Sequence, residues 1–273
     1  MAKTWRQVIK RKVLFPLKAI VKPIFRDHVY VVKHGFIKGM KLNGNLGFLR
    51  PRYMTDKERF LMNLEFSGKT VYDIGAHIGI TTLFFSRAVG DKGQVISFEP
   101  NPEAFGTLHR NVDLNGLTNV RLFNVALGAK RDTLGLVLVF GDSSSALATL
   151  DMSRQAELLK YKGRIRTRIL PVEVYPLDEY ILANSLPDPD FVKIDVEGYE
   201  YSVLLGAQGT LLGRKPPLLL EMHGKGPGQR SENRSRIIEL LSPIDYSIQD
   251  IVSGGKLTKS NIQQTHARHL FCS

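Results

Sequence analysis

Between Thr70 and Val125 the chain alternates short β-branched runs with helical stretches, and that alternation leaves few folds open. Thr70 to Ile74 reads as a strand, followed by a glycine-bearing turn and a helix from about Ile78 to Val89. Gly90 to Gly93 interrupts the chain before a second strand, Gln94 to Phe98. Asn101-Pro102-Glu103 then opens a helix: asparagine caps, proline fits the first turn, and glutamate complements the positive end of the helix dipole. That helix runs to Leu114 and stops at Asn115-Gly116, ahead of a third strand at Asn119 to Val125. Strand, helix, strand, helix, strand with right-handed crossovers is half of a Rossmann-like, doubly wound α/β sheet. Such sheets bind ligands at the carboxyl ends of their strands, where the strand order reverses, so the end of the first strand is the place to search.

The flanking segments fit around that unit. Val29 to Val32 with Phe36-Ile37 suggests short strands or a hairpin, and Thr55 to Phe66 a helix capped by Thr55 or Asp56. Residues 133–140 and 169–174 read as further strands around a serine-containing stretch and a basic helix. The alternation resumes with a strand at Phe191 to Val196, a helix at Tyr199 to Leu212, a buried strand at Leu218 to Met222 and a helix at Arg234 to Leu241. Tyr246 to Val252 and Arg268 to Cys272 form an expected antiparallel pair at the end of the chain. The expected division is a basic extension over residues 1–54 and one catalytic domain over residues 55–273.

The formal net charge of +12 suggests nucleic acid until it is mapped. Lys3, Arg6, Lys10, Arg11, Lys12, Lys18, Lys22 and Arg26 place eight of those charges in residues 1–26, which carry no acid. Trp5, Val8, Ile9 and Val13 share one side of a helix there, and Pro16 and Pro23 break it. A basic amphipathic segment of this kind suits peripheral contact with anionic lipid headgroups, or equally a solvated helix packed on its own domain. The tail lacks the apolar run of a secretory signal, no stretch is long and apolar enough to span a bilayer, and the single cysteine, Cys272, excludes an internal disulfide. These features fit a cytoplasmic protein.

The strongest local signal is Asp73-Ile74-Gly75-Ala76-His77-Ile78-Gly79, at the end of the first strand. Gly75 permits a tight turn, while Ala76 and Gly79 let a ligand or a helix approach the backbone. Glu99 ends the second strand, 26 residues after Asp73. A carboxylate there suits both hydroxyls of a ribose, or it partners the helix beginning at Asn101. The glycines do not spell G-x-G-x-x-G, and no phosphate loop occurs. Asp73 at the turn disfavours a pyrophosphate and suits the cationic methionine end of S-adenosylmethionine.

At this point the sequence resembles the FkbM-type methyltransferases, over about Thr70 to Cys272. The resemblance rests on Val71 to Gly79, on Ser97 to Pro102, on Asn124-Val125-Ala126-Leu127-Gly128, and above all on Phe191-Val192-Lys193-Ile194-Asp195-Val196-Glu197-Gly198-Tyr199-Glu200, followed by Leu204, Gly206 and Ala207. It implies a class I methyltransferase fold, a seven-stranded, mostly parallel sheet ending in an antiparallel strand. It also implies S-adenosylmethionine as cofactor and O-methylation, commonly of sugars or natural products. Asp73, Gly75, Ala76, His77, Gly79, Glu99, Asn124, Ala126 and Asp195 become the expected cofactor residues.

Alternation along Lys193-Ile194-Asp195-Val196-Glu197 points Lys193, Asp195 and Glu197 to one side of the fourth strand's end. Asp195 stabilises the cation or orients the acceptor, and Glu197 or Lys193 handles the acceptor proton. A Lys193–Glu197 ion pair that merely closes the strand end is the structural alternative. Glu221 and His223 end the next strand and face the same cleft, with His223 the leading general base because an imidazole titrates near neutral pH. Asp195, Glu197, Glu221 and His223 also offer ligands for a divalent ion, which the sequence does not require. His266 and His269 read as surface residues of the last hairpin. Gly224 to Arg230 and Gly141 to Ser145 are candidate acceptor loops or plain connectors.

Two other functions compete. An RNA methyltransferase fits the basic charge, although no [DN]-P-P-[YF] run follows the fourth strand. A non-catalytic membrane-associated adaptor that keeps the fold is the other, and the intact Asp73, Glu99, Asp195 and Glu197 argue against it.

Overall fold

The computed structural model describes residues 28–43, 53–140, 148–150, 152, 155, 166–223, 226–262 and 267–273. The basic tail, the Gly141 to Ser145 stretch, the basic helix expected before residue 166, and His266 lie outside the described residues. A hairpin of β1 (Val29–Val31) and β2 (Lys41–Asn43) comes first, with Phe36 and Ile37 in its turn. These side chains are buried with Leu83, Phe84 and Phe85. The hairpin is tied down where Asn111 Oδ1 accepts from the Asn43 N–H at 2.7 Å.

Next comes α1 (Asp56–Met62), shorter than the expected helix and capped by Thr55. Thr55 accepts from the Glu58 N–H while Glu58 accepts from the Thr55 N–H, a reciprocal capping box. The main sheet then begins with β3 (Thr70–Ile74), α2 (Ile80–Val89), β4 (Gln94–Phe98), α3 (Pro102–Leu114) and β5 (Val120–Phe123). Asn101 caps α3 by accepting from the Glu103 N–H.

After β5 the chain leaves the main sheet. β6 (Ala126–Leu127), β7 (Asp132–Phe140), β8 (Ala148–Thr149) and β9 (Arg166–Tyr175) form a separate four-stranded sheet in the order β6-β9-β7-β8. The long antiparallel β7–β9 pairing joins the two strands expected around residues 133–140 and 169–174. The chain returns through α4 (Leu177–Ala183) to β10 (Phe191–Ile194), α5 (Glu200–Leu205), α6 (Gln208–Gly213), β11 (Leu218–Glu221) and α7 (Gly226–Leu241). It ends in β12 (Ile248–Asp250), β13 (Lys256–Leu257) and β14 (His269–Cys272).

The main sheet has the order β13-β12-β14-β11-β10-β3-β4-β5. β3 pairs in parallel with both β4 and β10, so the strand order reverses at β3 as expected. β14 runs antiparallel between β11 and β12. The expected seven strands are present, and two-residue β13 adds an eighth at the edge. Two other expectations change. The helix expected over Tyr199 to Leu212 is two helices, and Gly226 to Arg230, expected in a loop, are the first turns of α7. Among the described residues, no helix is long and apolar enough to cross a membrane.

Candidate active site

The turn after β3 is fixed to the neighbouring strand, because the Gly75 and Ala76 N–H groups both donate to the Phe98 carbonyl. Gly75 has φ +79, and a Cβ there would stand 1.9 Å from the Asp195 carbonyl oxygen. The tips of β3 and β10 therefore touch through backbone, which only glycine allows. Gly79, at φ +90, packs against Leu108 of α3, so its smallness serves a helix and not a ligand.

A cleft opens over this turn. Gly75, His77, Glu99, Ala126, Asp195 and Glu197 line it together with an apolar wall that includes Pro100, Val125, Leu136 and Leu150. Leu136 belongs to β7 and Leu150 follows β8, so the second sheet closes one side. Glu99 is 5% exposed and accepts from the His77 N–H at 2.7 Å and the Asn101 N–H at 2.9 Å. Burial raises its pKa to about 7 despite those two N–H donors. Burial also lowers the His77 pKa. Asn124 is exposed, and its Nδ2 donates to the Glu99 carbonyl at 2.7 Å.

Asp73 and Lys193 depart from expectation. The Asp73 side chain is fully buried below the turn, accepting from Thr81, Thr82 and Lys193 Nζ. Lys193 is 2% exposed and also donates to the Gly75 carbonyl. With both Asp73 oxygens engaged and Lys193 locked onto them, neither is presented to a ligand or an acceptor proton. Lys193 pairs with Asp73, and the Lys193–Glu197 pair considered from the sequence is replaced by this deeper one.

Beside the cleft the remaining candidates converge. His223 Nε2 lies 3.6 Å from Asp195 Oδ1, 3.6 Å from Glu197 Oε2 and 3.8 Å from Glu221 Oε1. Its Nδ1 is 2.9 Å from Oε1 of Glu200, a fully buried carboxylate. Burial opposes the imidazolium charge, but the Glu200 hydrogen bond and the charges of Glu197, Asp195 and Glu200 push His223 up to about 9. The expectation of a histidine titrating near neutrality thereby changes: three carboxylates favour its protonated form. Glu197 sits in a left-handed backbone conformation, φ +55, which bulky side chains seldom adopt without a compensating contact.

Two residues of this cluster escaped the sequence reading. Lys57, from the first turn of α1, donates to Asp195 Oδ2 at 3.2 Å and to Glu221 Oε2. Burial works against its charge, yet Asp195 and Glu221 raise its pKa above the ordinary lysine value. His269, expected at the surface, stands directly across from Glu221 in the β11–β14 register, its Nε2 3.4 Å from Glu221 Oε2. Burial alone would raise Glu221, but His269 and Lys57 hold it well below the usual carboxylate range.

Several known proteins similar to this chain are methyltransferases. Residues 73–248 match the methyltransferase FkbM domain. Methyltransferase 1 of Beauveria bassiana is 29% identical over 145 residues, covering 50% of this chain and 57% of that protein. Hexuronic acid methyltransferase AglP of Haloferax volcanii is 26% identical over 159 residues, 57% of each chain. The 2-O-methyltransferase NoeI of Sinorhizobium fredii is 28% identical over 151 residues, covering 54% of this chain and 61% of its own length. The chain thus spans little more than half the length of these curated relatives. With the matched domain covering more than half of the sequence, the chain belongs to the FkbM family of S-adenosylmethionine-dependent methyltransferases.

Proposed function

We propose that this chain transfers a methyl group from S-adenosylmethionine to a hydroxyl of a sugar, glycolipid or natural-product acceptor. The observation that carries the reading is a shared boundary. Asp195 and Glu197 line the cleft that contains Glu99, and the same two carboxylates lie 3.6 Å from His223. The cleft proposed for the nucleoside and the cluster proposed for acid–base work are therefore contiguous. The names of two relatives, a hexuronic acid methyltransferase and a 2-O-methyltransferase, support a hydroxylated sugar as the acceptor class.

The residues present fit the cofactor. Glu99, buried at the tip of β4 with its carboxylate in the cleft, suits a vicinal diol; the apolar wall suits a purine; Asp195 and Glu197 suit a positive charge. When bound, S-adenosylmethionine supplies an electrophilic methyl group on a cationic sulfur. What remains for the chain is to align the acceptor oxygen and to remove its proton. Lys193 is locked under the turn and the carboxylates around His223 favour its protonated form, so Glu197 is the group placed to take it. Gly75, His77, Glu99, Ala126 and Asp195 contact the cofactor, while Asp73, Ala76, Gly79 and Asn124 shape its cradle from behind.

The test is calorimetric titration of S-adenosylhomocysteine into the wild type and Glu99→Ala, with NAD as control. Micromolar binding that weakens at least tenfold in the variant, with NAD silent, is the expected outcome. A folded wild type that binds nothing overturns the reading and favours a non-catalytic adaptor. The same proposal sets residues 1–54 apart as an extension whose basic residues 1–26 meet anionic membrane at the cytoplasmic face. Flotation with phosphatidylserine vesicles, with and without those residues, tests that part.

A further inference from the structure

We propose that Asp195, Glu221 and His223 form a binding site for a divalent first-row metal ion of the manganese type, on the acceptor side of the cleft. One ligand atom from each lies within 4.8 Å of the other two. Metal–ligand bonds of roughly 2.1 Å set neighbouring ligand atoms about 3 Å apart. The 3.6 Å from His223 Nε2 to Asp195 Oδ1 and the 3.8 Å to Glu221 Oε1 therefore need only a sub-ångström contraction.

The orientation of His223 is the observation that goes beyond clustered acids. The residue is 8% exposed, its Nδ1 is held by Glu200, and Glu200 is itself held by the Gly198 N–H at 2.9 Å. A carboxylate on one ring nitrogen, with the other aimed at a ligand set, is the arrangement that orients metal-bound histidines, and the ion takes the place of the Nε2 proton, which is released to solvent. Among the described residues Nε2 makes no hydrogen bond, and it faces carboxylate oxygens at 3.6 Å or more.

Each of the two carboxylates has one oxygen engaged and the other turned toward His223. Lys57 takes Asp195 Oδ2 and Glu221 Oε2, and His269 approaches that same Oε2. The opposite oxygens, Oδ1 and Oε1, are the ones turned toward His223. Lys57 thus pins both carboxylates from one side and leaves the other for an ion. One imidazole with two carboxylates suits manganese or a similar ion better than calcium, which prefers oxygen alone. The position of the ion is independent of the proposed methyl transfer, but its use rests on that reading: it would bind the acceptor hydroxyl, lower its pKa, and leave Glu197 to take the proton.

The experiment titrates Mn2+ into the full chain and follows the free aqueous ion by electron paramagnetic resonance. Micromolar affinity is expected in the wild type and in Asp91→Asn, an exposed control. At least tenfold weakening is expected in His223→Gln and in Glu221→Gln, each verified as folded by circular dichroism. A wild type that binds Mn2+ only at millimolar concentration, or no better than His223→Gln, overturns the proposal without reference to any variant's activity. The S-adenosylhomocysteine titration reports separately: its failure alone removes the methyltransferase reading and leaves the ion site standing.

Discussion

Lys193 Nζ donates to Asp73 Oδ1 at 2.8 Å across 120 positions of sequence, with side-chain exposures of 3% and 0%. The pair joins β10 to β3 at the point where the strand order reverses, beneath the turn that carries the cleft. A charge buried this deeply is tolerated only with its partner, so removing one member strands the other. Breaking such a pair costs about 3–5 kcal/mol. Lys193→Met should lower the unfolding free energy by that amount, read from urea denaturation, and Asp73→Asn by somewhat less because Thr81 and Thr82 can still bond to the amide. The double variant should recover part of the loss. Equal stability of wild type and Lys193→Met would mean that the pair has no structural role.

The parallel core was legible because its signals are local. Thr70–Ile74 and Gln94–Phe98 fall where the β-branched runs end, and Asn101-Pro102 marks the start of a helix from three neighbouring residues. The parts that were not legible depend on partners far along the chain. Lys57 reads as one more charge on a helix, and only the fold brings it to Asp195 and Glu221, 138 and 164 positions away. His269 looked like a hairpin surface residue because nothing in its neighbours reveals that β14 pairs with β11 and sets it opposite Glu221. Asp73 had the right position and the wrong direction, since its thread to Thr81, Thr82 and Lys193 points down into the sheet.

Gly206 shows the same limit in backbone. The helical pattern from Tyr199 to Leu212 continues through it, yet the helix ends at Leu205 with Gly206 as its cap, where an added Cβ would stand 1.9 Å from the Gly128 carbonyl oxygen. Gly206→Ala must move backbone, and overpacking of this kind costs about 1–3 kcal/mol or more. Gly213→Ala, with nothing within 4 Å of the added carbon, provides the control and should be neutral within about 1 kcal/mol. Chemical denaturation of the two variants decides it: similar midpoints would mean that the Gly128 contact yields without cost.

Thr55 connects stability to the site. Its capping box with Glu58 starts the helix whose second residue, Lys57, reaches the carboxylates. Thr55→Ala should cost about 0.5–2 kcal/mol. It should also speed hydrogen exchange of the amides from Glu58 to Phe60 beyond the global change. Unchanged protection there would show that Lys57 holds the helix in place, and not the reverse.

Glu99 gives the cleft a pH dependence whose sign can be worked out. Its folded-state pKa is raised to about 7 because burial penalises the carboxylate more than the His77 and Asn101 N–H groups stabilise it. An acid raised in this way favours the folded state at pH below its unfolded pKa, and that contribution is lost as pH rises through about 7. Ligand binding should run the other way. A diol donates to the ionised carboxylate, so S-adenosylhomocysteine should bind best above pH 7, and its affinity should fall toward tenfold per unit below it. Near pH 6, binding should release close to one proton, visible as a dependence of the calorimetric enthalpy on the buffer's ionisation enthalpy. Glu99→Gln should bind more weakly at pH 8 and lose both the slope and the proton release. A wild-type affinity that stays flat from pH 5.5 to 8.5 would mean that Glu99 meets the ligand already ionised or not at all, and a flat profile shared with Glu99→Gln would select the second.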